Sequence, residues 1–156
     1  MNIFMKGYAG LSESGRLAGQ CRPRLPERIL QPLEEMAEVP VPAPAGEGVH
    51  CLTPGGEGGV WAALWRLADL ADEEGRCHPC GLQVLQSAIP IRQETIEICE
   101  LLEQDPYRIP SGGWLFVAES DSRAEGTVIG HLVKGHARTV QGLEGTRYLD
   151  KPRTGR

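Results

Sequence analysis

Apolar side chains recur along this chain at two periods. Val60, Leu64, Leu67 and Ala71 form one helical stripe, widened by Trp61, Trp65 and Ala68, with Arg66, Asp69, Asp72 and Glu73 off it. That spacing predicts a helix over 58–73. Ile29, Leu30, Leu33, Met36 and Ala37 predict another over 26–38, with Pro26 at its first position and a kink or break expected at Pro32. Over 92–104, Ile98 and Leu102 sit four apart, as do Thr95 and Cys99, so a third helix turns one side to a sheet. Glu94 falls near the positive end of its dipole. Short apolar runs predict strands at 2–9, 49–52, 82–86, 114–118, 128–133, 137–141 and 146–149, with 114–118 central.

Between these elements the chain turns often. Val39-Pro40-Val41-Pro42-Ala43-Pro44 forbids a helix and marks 39–48 as an extended internal linker. Strands alternate with helices at first and then run consecutively, which predicts an α+β fold with helices packed on a mixed, largely antiparallel sheet. At 156 residues the chain is expected to form one domain over 1–152, followed by a frayed tail at 153–156.

Composition narrows the partners. A net charge of −5 with interspersed signs argues against nucleic acid, which needs a basic stripe. No apolar run approaches the ~20 residues that span a bilayer, and no signal peptide precedes the first strand. Five cysteines at irregular spacing do not read as a secreted disulfide framework, so a cytoplasmic protein is expected.

Two local constellations carry candidate chemistry. Gly55-Gly56-Glu57-Gly58-Gly59 precedes the 58–73 helix, where backbone amides make an anion site and glycines admit a phosphate. The loop has no P-loop Lys-Ser/Thr, so tight entry into the helix is the other reading of Gly55, Gly56, Gly58 and Gly59. Cys77-His78-Pro79-Cys80 is half a zinc site, and Cys21, Cys51, His50, His131 and His136 offer no second pair. A thioredoxin-like role would need the motif between strand and helix in the other order. Cys77 and Cys80 are therefore read as a turn, with metal and redox roles as the alternatives. Cys99 reads as a small buried hydrophobe. His131 and His136 read as edge or turn histidines, and Arg92 and Glu94 as a capping ion pair.

The run Ser87-Ala88-Ile89-Pro90-Ile91-Arg92-Gln93-Glu94-Thr95-Ile96-Glu97-Ile98-Cys99-Glu100-Leu101-Leu102, with Asp105-Pro106-Tyr107 and Ser111-Gly112-Gly113-Trp114-Leu115-Phe116-Val117-Ala118, resembles one family. It is similar to the C-terminal domain of the aminoimidazole ribonucleotide (AIR) synthase, or PurM-like, superfamily. That superfamily also holds hydrogenase expression/formation proteins, selenophosphate synthetase and thiamine-monophosphate kinase, and the chain looks most like the hydrogenase-maturation-like, AIR-synthase-related branch. The resemblance implies a turn and short helix over 10–18. It matches Gly58 and Gly59 to a Gly-Gly pair that opens the 58–73 helix, preceded in the family by a His/Arg-Asp-x-Thr element facing the active-site cleft, and puts Pro54 where that element has its aspartate. It also implies a helix between 118 and 127, for which Glu119–Gly126 is too short. One sheet face should then be bare, with an apolar patch above roughly 400 Å² that a partner covers.

The resemblance further implies that ATP and Mg are bound mainly by the superfamily's N-terminal domain. No catalytic residue, no metal and no cofactor is therefore expected of this chain by itself. The family's C-terminal cysteine has no counterpart in Thr154-Gly155-Arg156. Three roles follow: an accessory module for an ATP-dependent or hydrogenase-maturation partner, self-associating or heteromeric; a small enzyme or binder of a phosphorylated metabolite through the glycine loop; or a structural remnant.

Overall fold

A computed structural model describes residues 1–46, 48–119 and 122–152; the tail expected at 153–156 lies outside the described residues. Seven strands, β1 (Asn2–Lys6), β2 (His50–Pro54), β3 (Cys80–Leu85), β4 (Trp114–Ala118), β5 (Thr127–Lys134), β6 (Arg138–Gly142) and β7 (Gly145–Tyr148), form one sheet in the order β2-β4-β1-β5-β3-β6-β7. Every pairing is antiparallel except β3 with β6. Among the described residues the α-helices are α1 (Leu11–Leu17), α2 (Glu27–Glu38), α3 (Gly59–Glu73) and α4 (Gln93–Leu101). The α+β architecture expected from the sequence is the one observed.

One face of the sheet carries α3. Val60, Ala63, Leu64, Leu67, Ala68 and Ala71 bury its inner stripe against Ile3, Met5, Leu82, Leu115, Val117, Ile129 and Val140. Trp61 and Trp65 belong to the same helix, the first buried and the second half-buried. A second core joins α1, α2 and α4 through Leu11, Leu30, Leu33 and Ile98.

Pro32 does not break α2. It removes one backbone donor, but Leu30 and Leu33 on either side are fully buried and hold the helix in place. Gly15 lets α1 approach α2 so closely that a Cβ there would overlap Ala37. Three boundaries also move. β1 stops at Lys6, because Gly7 turns to φ +114°; β3 opens earlier than expected, at Cys80; and α4 stops at Leu101, just before Glu103 takes φ +55°. β5 and β6 do not pair directly across the bend at Lys134-Gly135, since β3 lies between them.

The other face differs from expectation. No helix occurs in the described part of 119–126, but Ala124 from that connection and Val49 from the end of the linker pack on Phe4, Phe116 and Ala118. Phe4 and Phe116 stack with ring centroids 5.2 Å apart. Beyond them the open part of the face presents Asn2, Gln83, His131, Thr139 and Gln141, with Leu85 and Val128 scattered among them. The short loop covers the aromatic pair, and alternation places polar residues over the rest, so the expected apolar patch is a mixed surface.

Candidate functional site

The glycine loop is fixed by the segment that precedes β4. The Gly55 N–H donates to the Gly113 carbonyl (2.8 Å), and the Gly55 carbonyl accepts from the Ser111 and Gly112 N–H groups (2.9 and 3.1 Å) and from Ser111 Oγ (3.2 Å). Gly58 and Gly59 both take positive φ, +84° and +70°, and the Gly59 N–H donates to the Gly56 carbonyl at 3.0 Å. A Cβ on Gly59 would come within 2.8 Å of Arg108 Cα and collide with the Tyr107 carbonyl. Glycine is thus required for the close passage of 107–108 over the start of α3. The same Tyr107 carbonyl accepts from the Trp61 N–H at 3.3 Å.

Of the four glycines, Gly55 and Gly59 have their amides engaged inside the protein, while Gly58 borders an adjoining cavity. Pro54 ends β2, and Thr53 beside it is buried, its hydroxyl donating to the Cys51 carbonyl at 2.9 Å. At the position where the resemblance puts an aspartate stands Pro54, and the carboxylate of this loop is Glu57, three residues on.

The cavity, about 660 Å³, runs from Gly58 along α3 to Lys151 and Pro152. Its rim carries Arg66, Arg108, Arg147 and Lys151 against two carboxylates, Glu57 and Asp150. Arg108 reaches both Asp105 (3.3 Å) and Asp150 (3.6 Å). The Arg147 guanidinium lies 4.8 Å from the Trp61 ring centroid, and Trp61 also stacks on Tyr107 with ring centroids 5.0 Å apart. The sequence reading missed these cations. Arg147 and Lys151 come from the far end of the chain, and only the fold places them beside α3.

One helical turn away, Arg138 lies 4.4 Å from the Trp65 ring. Its Nη1 meets Asp69 Oδ1 at 2.8 Å, and its Nε donates to the Cys80 carbonyl at 3.2 Å. Here the structure also places the Cys77–Cys80 turn. Cys77 Sγ lies 3.3 Å from the Val133 carbonyl, Asp72 accepts from the Cys80 N–H at 3.1 Å, and the His78 ring meets the same carboxylate. Burial first, and Cys77 second, push the Cys80 thiol up to about 12. Among the described residues no three His, Cys, Asp or Glu side chains converge as a metal site would require.

The remaining candidates are dispersed. His131 sits in β5 opposite Asn2 and Gln83, His136 borders the Arg138 pocket, and His50 opens β2. Cys99 is buried in α4. Arg92 pairs with Glu94 at 3.1 Å; the Glu94 carboxyl is held low first by its own backbone N–H and then by Arg92. None of these reaches the cavity beside Gly58.

No family model matches the chain. It is 31% identical over 132 residues to carbamoyl dehydratase HypE of Rhodobacter capsulatus, covering 74% of this chain and 36% of that protein. The crystal structure of HypE from E. coli superposes with a TM-score of 0.68 at 20% identity, over 98% of this chain and 50% of that one. Thiamine monophosphate kinase from Aquifex aeolicus gives 0.69 at 17% identity, over 97% and 51%. The chain therefore spans about half the length of the solved relatives it matches. No described helix is long and apolar enough to cross a membrane. The chain is homologous to HypE over most of its length and has the fold of the C-terminal domain of the AIR synthase (PurM-like) superfamily.

Proposed function

We propose that this domain is an accessory module of the hydrogenase-maturation type, which docks with a nucleotide-binding domain and contributes no catalytic residue of its own. The observation that carries the reading is the 31% identity to HypE. HypE has been solved with HypF and with ATP, and a thiamine monophosphate kinase with AMPPCP and TMP, so proteins of this fold work with nucleotides and, in HypE, with a protein partner. At the turn where the resemblance puts an aspartate, this chain has Pro54, which can neither hold a metal nor move a proton. ATP and Mg are accordingly bound only when a partner domain supplies their site. The role fits a cytoplasmic protein, and self-association is the other form the partnership takes. Edge strand β7, exposed at all four residues, is open to strand pairing.

Two measurements test this. The chain is mixed with the separately produced nucleotide-binding half of a HypE relative and Mg-ATP, and the mass is followed by light scattering. A one-to-one complex is expected, and two unassociated species at tens of micromolar would refute docking. Calorimetry of the chain with Mg-ATP should show no tight binding, and a dissociation constant in the low micromolar range would overturn the accessory reading.

A further inference from the structure

We infer that Cys77 and Cys80 are a reversible redox pair, closed to an intramolecular disulfide by a small-molecule disulfide. The inference concerns the junction of α3 with β3, and it is independent of partner docking.

Position comes first. Both cysteines stand in one short turn, Cys80 as the buried first residue of β3 and Cys77 half-buried against the same core. Cys77 Sγ folds back over that turn. It lies 3.3 Å from the Val133 carbonyl and 3.9 Å from the carbonyl of Pro79, whose peptide leads into Cys80. Val133 pairs with Gly81, and Lys134 with Cys80, so the Cys77 sulfur sits where β3 begins against β5. Held in one turn, the two thiols meet as an intramolecular pair rather than by collision.

Bracing comes second. The Cys80 N–H donates to Asp72 Oδ2 at 3.1 Å, and its carbonyl accepts from Arg138 Nε at 3.2 Å. The Pro79 carbonyl accepts from the Gly135 N–H at 2.9 Å. The backbone around Cys80 is thus fixed, whereas the Cys77 side chain is held only by weak S–H contacts. Closure gives up those contacts for a covalent bond.

Access and chemistry come third. A groove of about 540 Å³, bordered by Trp65, His78, Cys80 and His136, lets a small disulfide approach the turn. The Cys77 thiolate attacks one sulfur of that disulfide, forming a mixed disulfide and releasing one thiolate, which takes up a proton. Cys80 then yields its proton to solvent, attacks Cys77 Sγ and expels the second small thiolate. Two protein thiols are oxidised and one small disulfide is reduced to two thiols; excess thiol reverses both steps. Burial first, and Cys77 second, raise the Cys80 thiol to about 12, so no stabilised thiolate favours the open form. The same burial makes closure slower than the first attack.

The test treats the folded chain with oxidised glutathione, quenches it in acid and maps its tryptic peptides by mass spectrometry. Cleavage after Arg76 and Arg92 yields a peptide that holds Cys77 and Cys80 and no other cysteine. This peptide should pass through a glutathione adduct and then appear short of two hydrogens, while the buried Cys21, Cys51 and Cys99 stay reduced. Dithiothreitol should restore it. Cys80→Ser should stop the reaction at the adduct on Cys77, and Cys77→Ser should leave Cys80 without one. Should either variant fold poorly, the order of adduct and closure in the unaltered chain decides the matter. An adduct that never closes, a disulfide between two chains, or oxidation of a buried cysteine ahead of Cys77 would overturn the inference.

Discussion

Two arginines lie on two tryptophans one turn apart on α3, and their surroundings differ. Arg138 on Trp65 is nearly enclosed, its side chain 11% exposed, with Asp69 on one nitrogen and the Cys80 carbonyl on another. Arg147 on Trp61 is exposed, borders a cavity and, among the described residues, has no carboxylate partner. The first arrangement answers the hydrogen-bonding demand of a cation inside the protein and ties α3 to β3 and β6. The second leaves that demand open at the surface. An arginine stacked on an aromatic ring is therefore not informative by itself; what occupies the edges of the guanidinium separates a buried structural tie from a solvated stack.

The largest expected effect removes the scaffold of the open stack. Gly59→Ala forces a Cβ into Tyr107 and Arg108 at a positive φ, and should destabilise by about 2–4 kcal/mol in chemical denaturation. The environment of Trp61 should change with it, while that of Trp65 changes little, as Trp emission would show. Next is Arg138→Ala, which leaves the Cys80 carbonyl without its partner and uncovers Trp65. It should cost about 2–3 kcal/mol, read from thermal unfolding, with a change in Trp emission.

Arg147→Ala should cost less than about 1 kcal/mol in the same measurement, because that side chain is solvated. If the two arginine variants proved equally destabilising, the distinction between the stacks would collapse.

The smallest effect near neutral pH is titration beside the enclosed stack. Cys80 has a folded value raised to about 12, so its contribution is complete below the ordinary thiol value and is lost as pH rises through about 12. Asp72 has a lowered value, first from His78 and then from the Cys80 N–H, so its contribution is lost only as pH falls through that depressed value. The contribution of these two groups should be flat between the ordinary carboxyl and ordinary thiol values, and Cys80 should alkylate at pH 7.5 more slowly than half-buried Cys77, as peptide mass spectrometry would show.

Much of the fold was legible in the sequence. The stripe from Val60 to Ala71 and the apolar run 114–118 locate α3 and β4, because burial on one face leaves a period in the chain. Pro32 misled because tertiary packing at Leu30 and Leu33 outweighs one lost hydrogen bond. The open face misled because a loop too short for a helix still delivers Ala124 to the aromatic pair. The candidate site was legible only at Gly58. Arg147, Lys151 and Trp61 have no periodic relation, and their meeting depends on β3 lying between β5 and β6, which no local pattern encodes. The carboxylate at Asp69 that closes the other stack is, in sequence, an ordinary polar position on a helix.

The place of β1 in the sheet has a kinetic consequence. This strand precedes the others in the chain, yet it lies between β4 and β5, pairing Phe4 with Phe116 and with Val128. Its buried Ile3 and Met5 must wait for more than a hundred further residues to be synthesised before either neighbour exists. Such distant pairing slows folding and prolongs the exposure of an unpaired apolar strand on the ribosome. The yield of native protein should therefore depend on how long the nascent chain is protected, and removing β4 and β5 by C-terminal truncation should leave an aggregating fragment rather than a smaller domain.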